Sequence, residues 1–347
     1  MSFASKISLP HRACWAVAGE AREVLFWPCK SGEARAVMLL VPGNPGLIDF
    51  YIDFCAAVHK MFSEGMDIIG VSHLGHTRFS DNRGLTVKRS PAHSLSEQVA
   101  NMIAVFDQID SEYSSAAQRP KMLLCGHSVG CYISQKIVEC RSDRVDRVFS
   151  LFPAVEDIAN TPRGRQLWPM FQPGVRQLVA GMVDMLVWML PEAAILGLAG
   201  MSRSLNRDNA RTVVEKMLHG SCVRSVLKMA ADEMAEIADL NEDVYRRLGH
   251  KFIMYYGADD GWVPPSHYHR MAATNTRGRV YMCQNGFPHS FVTTHSPEMA
   301  LVVADMLKEE LGCQASADLP ALSTPVASTR TTLCRRLDAS ERVCDAD

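Results

Sequence analysis

KMLLCGHSVGCYISQKIV, residues 121 to 138, is the stretch whose reading decides the fold. Lys121 to Leu124 is an apolar run of strand length, and Tyr132 to Val138 has the composition of a helix. Between them stands Cys125-Gly126-His127-Ser128-Val129-Gly130-Cys131. A serine hydroxyl can act as a nucleophile only where it protrudes. A sharp strand-to-helix bend makes it protrude, at the cost of a strained backbone crowded between sheet and helix. Gly126 and Gly130 are the small residues such a bend requires. Ser128 is therefore the candidate nucleophile; an accidental loop match is the competing reading, and the flanking strand and helix weigh against it.

Further strand-length runs lie on both sides: Arg22 to Trp27, Ala36 to Val41, Met66 to Val71, Val148 to Phe152, Lys251 to Tyr256 and Arg279 to Met282. Helix-like segments separate several of them. The clearest opens at Ser94-Leu95-Ser96-Glu97, a capping-box pattern, and sets Val99, Ile103, Phe106 and Ile109 on one stripe. Strands alternating with helices predict an α/β fold, a mostly parallel central sheet with helices on both faces. One stretch, residues 156–249, is helix-favouring and poor in strand patterns, and reads as an inserted helical cap. The expected organisation is an N-terminal segment over 1–21, the core in two parts over 22–155 and 250–312, and a disordered tail over 313–347. That tail is Ala/Ser/Thr/Pro with mixed charge and lacks the apolar density to pack.

The 347 residues are 47% hydrophobic and 21% charged, and 36 Lys+Arg against 38 Asp+Glu leave a net charge of −2. That is the composition of a folded globular protein. It lacks the basic surplus that phosphate backbones require, so no nucleic-acid partner is expected. Eleven cysteines without a CxxC pair read as reduced thiols, and the first residues show no signal-peptide core, so a cytosolic setting is expected.

A serine needs an imidazole to take its proton and a carboxylate to hold that imidazole, in the chain order Ser, acid, His. The run Lys251 to Tyr256 leads into Gly257-Ala258-Asp259-Asp260-Gly261, at the carboxyl end of a strand, where open sheets collect functional groups. Asp260 is preferred over Asp259, with a solvated Asp-Gly turn as the bland alternative. Arg279 to Met282 leads to His289 in Phe287-Pro288-His289, and His295 is held in reserve. His73 and His76, in SHLGH, lack a carboxylate at ligand spacing and make a poor metal pair; His267 and His269 read as exposed helix residues. No metal or organic cofactor is expected. An oxyanion needs two backbone N–H donors. Val129, after the nucleophile, supplies one. In Pro42-Gly43-Asn44-Pro45-Gly46, Pro45 has no N–H, so Asn44 is the natural second donor.

With these residues placed, the chain resembles the lipid droplet-associated hydrolases, a branch of the α/β-hydrolase superfamily. The likeness rests on VPGNPGLIDFY (41–51), SHLGHT (72–77), GHSVG (126–130), LFP (151–153), YYGADDGWVP (255–264) and FPHSF (287–291). It implies an α/β-hydrolase fold with Ser128, Asp260 and His289 as triad, residence on lipid droplets and the cytosolic face of the endoplasmic reticulum, and turnover of neutral lipid esters, sterol esters or acylglycerols. The doubled Asp259-Asp260 and the tail beyond Cys313 depart from the family pattern.

In that setting the cap acquires a role. Val175, Leu178, Met182, Met185, Leu186 and Met189 form an apolar stripe, with Arg176 and Asp184 expected toward water and Pro191 closing the helix. Followed by the apolar Ala193 to Met201, it could enter a droplet's phospholipid monolayer as a hairpin; neither run is long enough to span a bilayer. An ordinary buried lid helix is the alternative. The expected activity is that of a serine ester hydrolase. A droplet-surface binding protein of marginal activity, or a soluble thioesterase on the same fold, are the other readings.

Overall fold

The computed structural model describes residues 10–76, 92–116, 118–200 and 206–311. The tail expected to be disordered, residue 77 of the SHLGHT stretch and the end of the Ala193 to Met201 run lie outside them.

The first described elements form a hairpin, β1 (His11–Val17) and β2 (Glu20–Trp27), joined by Ala18 and Gly19, both at positive φ. Such turns match the twist of paired strands. β1 lies within residues 1–21, which the sequence pattern reads as a terminal segment without a strand. Its burial alternates, with Ala13, Trp15 and Val17 inward, which is the signature of an edge strand covered on one face. Then follow β3 (Ala36–Val41), α1 (Ile52–Phe62), β4 (Met66–Val71), α2 (Leu95–Glu112), β5 (Lys121–His127), α3 (Val129–Cys140) and β6 (Arg147–Leu151). The capping box that starts α2 is present: Ser94 Oγ accepts the Glu97 N–H, and the Glu97 carboxylate accepts the Ser94 N–H at 2.7 Å. After the cap come β7 (Phe252–Tyr256), β8 (Arg279–Met282) and, flanking β8, two helices described below.

The eight strands form one sheet in the order β1-β2-β4-β3-β5-β6-β7-β8. β3 through β8 are parallel, and the β1-β2 hairpin is antiparallel at one end. β3 has β4 on one side and β5 on the other, so the strand order reverses there. Loops leaving β3 and β5 then diverge to opposite faces and open a crevice at their carboxyl ends. Alternate residues of β3 feed two separate cores: Val37, Leu39 and Val41 face α2 and α3, while Ala36, Met38 and Leu40 face α1. Burial on both faces explains why these strands read as unbroken apolar runs.

Between β6 and β7 the described residues are helical: α4 (Pro162–Leu167), α5 (Pro173–Met189), α6 (Glu192–Gly200), α7 (Arg207–Thr212), α8 (Gly220–Glu236) and α9 (Glu242–Leu248). α10 (Pro265–Thr274) precedes β8, and α11 (Ser296–Leu311) follows it and packs with α1. Lys216, in the turn before α8, ties this layer to the sheet through Glu23 (2.6 Å) and Asp49 (2.8 Å).

Two expectations need correction. α5 leaves its apolar stripe outward, as the monolayer reading requires, but Arg176 and Asp184, expected toward water, are engaged by the protein. Ala180 is buried, Arg176, Val179, Val183 and Val187 are half-buried, and the Asp184 carboxylate accepts the Gly220 N–H at 2.7 Å. The first N–H groups of a helix have no internal acceptor, and Asp184 serves that need for α8 from outside. The large apolar residues of the stripe are left outward: Leu178 is 63% exposed, Met182 49%, Leu186 43%, Trp188 85% and Met189 63%, with Val175 and Met185 also exposed. α5 is therefore not a buried lid helix. Among the described residues α5 packs chiefly on α8, and α6 against α7. No described helix is long and apolar enough to cross a membrane. The second correction is His267, which is buried at the start of α10, whereas His269 is exposed.

Candidate active site

β5 stays paired with β3 and β6 as far as Gly126 and His127, three residues beyond the expected end, and then breaks at Ser128. Ser128 sits at φ 53°, ψ −123°, a region that L-residues rarely enter and that costs on the order of 1–3 kcal/mol. Its N–H donates to the Leu151 carbonyl (3.0 Å), and its carbonyl accepts N–H groups from Cys131 (2.9 Å) and Ala154 (3.2 Å). These bonds hold the strain in place. The two glycines are required by contact: a Cβ on Gly126 would stand 2.6 Å from the Gly130 oxygen, and one on Gly130 only 2.1 Å from the Val41 oxygen.

Asp260 leaves the end of β7 and is buried. Its Oδ1 accepts the N–H groups of Trp262 (2.8 Å) and Val263 (3.0 Å), and its Oδ2 lies 2.7 Å from His289 Nδ1. Burial by itself would raise this carboxyl, but the bonds from His289, Val263 and Trp262 outweigh it and hold Asp260 below its ordinary value. His289 Nε2 lies 2.9 Å from Ser128 Oγ. Carboxylate, imidazole and hydroxyl are thus joined in one line. Asp259 is exposed beside it, and His295 bonds to Thr294 at 2.7 Å and takes no part.

Val129 is the first residue of α3, so its N–H is among those a helix cannot satisfy internally. The Pro42–Gly46 loop presses against the bend, with a Cβ on Gly43 falling 2.9 Å from Ser128 Cβ. The Asn44 backbone N–H has no acceptor among the described residues. Its side chain is held by the cap: Asn44 Nδ2 donates to the Val226 carbonyl (3.0 Å) and to Glu233 (3.1 Å), both on α8. Burial pushes the Glu233 carboxyl up to about 8.

Sequence reasoning missed two neighbours, Tyr51 and His127. A Tyr51 Oη–His127 Nδ1 bond of 2.6 Å and a His127 Nε2–His289 carbonyl bond of 2.8 Å make the His127 imidazole donate from Nε2 and accept at Nδ1. Tyr51 Oη in turn accepts the Gly43 N–H at 2.8 Å. The two residues therefore couple the backbone of the histidine loop to the Pro42–Gly46 loop. Burial lowers His127 to about 3, which keeps it neutral, and Phe152 and Phe291 pack on its ring. His127 occupies an unspecified place in G-x-S-x-G, and Tyr51 is one aromatic among many, so no signal in a single sequence marks either.

A parallel sheet in this strand order, with a strained serine after β5 and an acid and a histidine after β7 and β8, defines an α/β-hydrolase. Solved structures agree: a membrane phospholipase A described as a bacterial virulence factor superposes with a TM-score of 0.61 at 13% identity, covering 87% of each chain. The family model for lipid-droplet associated hydrolases matches residues 34–292, so the chain belongs to that family and is a hydrolase. Among its relatives are the lipid droplet-associated hydrolases of Gallus gallus, 26% identical over 80% of this chain and 86% of that one, and of Mus musculus, 25% identical over 82% and 88%.

Proposed function

We propose that the protein is a serine ester hydrolase that cleaves neutral lipid esters, sterol esters or acylglycerols, at the phospholipid monolayer of lipid droplets. The observation that carries the reading is the Asp260–His289–Ser128 line, with contacts of 2.7 and 2.9 Å. His289 takes the Ser128 proton as Oγ attacks the acyl carbonyl, then passes it to the departing alcohol. Asp260 holds His289 Nδ1–H, leaves Nε2 free to accept, and stabilises the imidazolium. The Val129 and Asn44 N–H groups receive the oxyanion; one such donor is typically worth about 10²- to 10³-fold in turnover. Water, activated by His289, then releases the fatty acid. All of these steps use side chains and backbone of this chain, and none calls for a cofactor.

The outward face of α5, with Val175, Leu178, Met182, Leu186 and Met189 exposed, supports the surface assignment. A soluble monomer rarely leaves so many large apolar side chains together in water. Lying in the interface with that face down, the helix would bring the cap, and with it the site beneath α8, against the lipid. The relatives' name points to the same place, and residence on the cytosolic face of the endoplasmic reticulum belongs to the same proposal. The exposed face also suits a second reading, a droplet-surface binding protein with marginal turnover. Fluorophosphonate labelling separates the two: modification of Ser128 in folded protein, lost in Ser128→Ala, is expected of the hydrolase. An unlabelled Ser128, with identical lipid-extract profiles for wild type and Ser128→Ala, would favour the binding reading.

A further inference from the structure

The SHLGH stretch has no part in the chemistry described so far. His73 and His76 are 1% and 0% exposed, yet each makes one polar side-chain contact. His73 Nε2 lies 2.9 Å from the Pro42 carbonyl oxygen, and His76 Nδ1 lies 2.5 Å from that of Pro45. These carbonyls stand on either side of Asn44. A carbonyl oxygen can only accept, so His73 must carry its proton on Nε2 and His76 on Nδ1. The remaining nitrogens, His73 Nδ1 and His76 Nε2, are buried without a partner among the described residues, where the carbonyl bond is each ring's one polar task.

The loop needs such outside donors. Pro42 and Pro45 have no N–H, and within the loop only Gly46 N–H donates, to the Gly43 carbonyl at 2.7 Å. The histidines also fit it closely: Gly46 is at φ +77°, and a Cβ there would lie 2.5 Å from His73 Cδ2 and 2.7 Å from His76 Nδ1. The His73 backbone N–H adds a bond to the Gly46 carbonyl (2.8 Å). Behind them, Arg22 Nη1 donates to the Ser72 carbonyl (3.1 Å), and Ser72 Oγ accepts the Ile48 N–H (3.1 Å).

We infer that His73 and His76 are positioning residues for ester hydrolysis, clamping the Pro42–Gly46 loop from behind so that the Asn44 N–H is already aimed where the oxyanion forms. The inference rests on the reading of Ser128 as nucleophile. An oxyanion donor contributes only if it is preorganised.

The test exploits the two tautomers. A glutamine amide reaches about where imidazole Nε2 sits, and an asparagine amide about where Nδ1 sits. With p-nitrophenyl butyrate as substrate, His73→Asn and His76→Gln should lower kcat roughly 10- to 100-fold while KM stays within about 2-fold, as expected when only the transition state loses a contact. His73→Gln and His76→Asn should stay within about 3-fold of wild type, since the donor returns to its place. Wild-type kcat in His73→Asn and His76→Gln, or equal losses in all four variants, would overturn the clamp. A measurement on the unaltered protein guards against variants that fail to fold. Imidazole ¹⁵N shifts should show His73 as the Nε2–H and His76 as the Nδ1–H tautomer, and the reverse would leave both carbonyls without donors and refute the assignment. Ser128→Ala in the same assay keeps the two ideas apart: if turnover survives it, the hydrolase reading falls, while the tautomers still judge the clamp.

Discussion

Replacing Leu178 and Met189 together by glutamine should detach the protein from lipid while leaving it folded. Fully burying one such side chain is worth about 1.5–3 kcal/mol. Both residues are 63% exposed. Each therefore has about 1–2 kcal/mol left to gain on entering acyl chains, and the pair about 2–4 kcal/mol, a roughly 30- to 700-fold change in partitioning at 1.4 kcal/mol per tenfold. Glutamine forms helices nearly as well as the residues it replaces, and neither site is buried against α8, so stability should move by no more than about 0.5 kcal/mol each. Flotation with phospholipid-coated triolein droplets, read against a thermal melt of the same preparation, measures both quantities. A partition coefficient unchanged within about 3-fold in a normally melting double variant would refute α5 as the contact, because the lost transfer energy demands more.

Three other outcomes follow from the site. Asp260→Asn should lower kcat about 10⁴-fold in a folded protein. Trp262 and Val263 both donate to Oδ1, so the amide oxygen must take that place and the NH₂ must face His289 Nδ1, forcing the tautomer that cannot accept from Ser128; single-turnover kinetics with an activated ester would show it, and a loss under tenfold would contradict it. Glu233→Gln should gain stability over wild type as pH rises. Buried at about 8, Glu233 keeps its proton in the folded state where the unfolded chain, at about 4.3, has lost it, so wild-type stability falls across that window and the variant's does not; parallel melting curves from pH 5 to 8 would contradict this. Gly130→Ala should cost at least about 3 kcal/mol by urea unfolding, since the new Cβ meets a backbone oxygen at 2.1 Å that cannot move aside.

The placement of the candidate site residues is legible because its signals are local. A glycine-flanked serine between strand and helix, an Asp-Gly turn after a strand, and a histidine after the last strand each announce themselves within about ten residues. Ala36 to Val41 and Met66 to Val71 coincide with β3 and β4 because burial on both faces keeps them apolar, with the buried Asp67 the one polar residue in the two runs. β1 escapes the pattern reading because its inward side begins with the exposed polar His11 and its open side mixes Arg12 with the apolar Cys14 and Ala16. α5 shows a deeper limit. Periodicity gathers Leu178, Met182, Leu186 and Met189 on one side of a helix, but a stripe carries no label saying whether protein or lipid lies against it. The inward side of α5 carries Val179, Ala180, Val183 and Val187, while the exposed Asp184 caps the N-terminus of α8.

Chain order alone determined which residue types could serve as nucleophile, acid and base, since each follows a strand whose carboxyl end must open on the same edge of a parallel sheet. Only tertiary structure decided that residues 161 positions apart, His289 and Ser128, meet at hydrogen-bond distance. It also recruited Tyr51, His73, His76, His127 and Glu233 around them. Their contacts run through carbonyls, amides and rings brought together by packing, and a hydrogen bond between distant segments leaves no periodic trace along the chain.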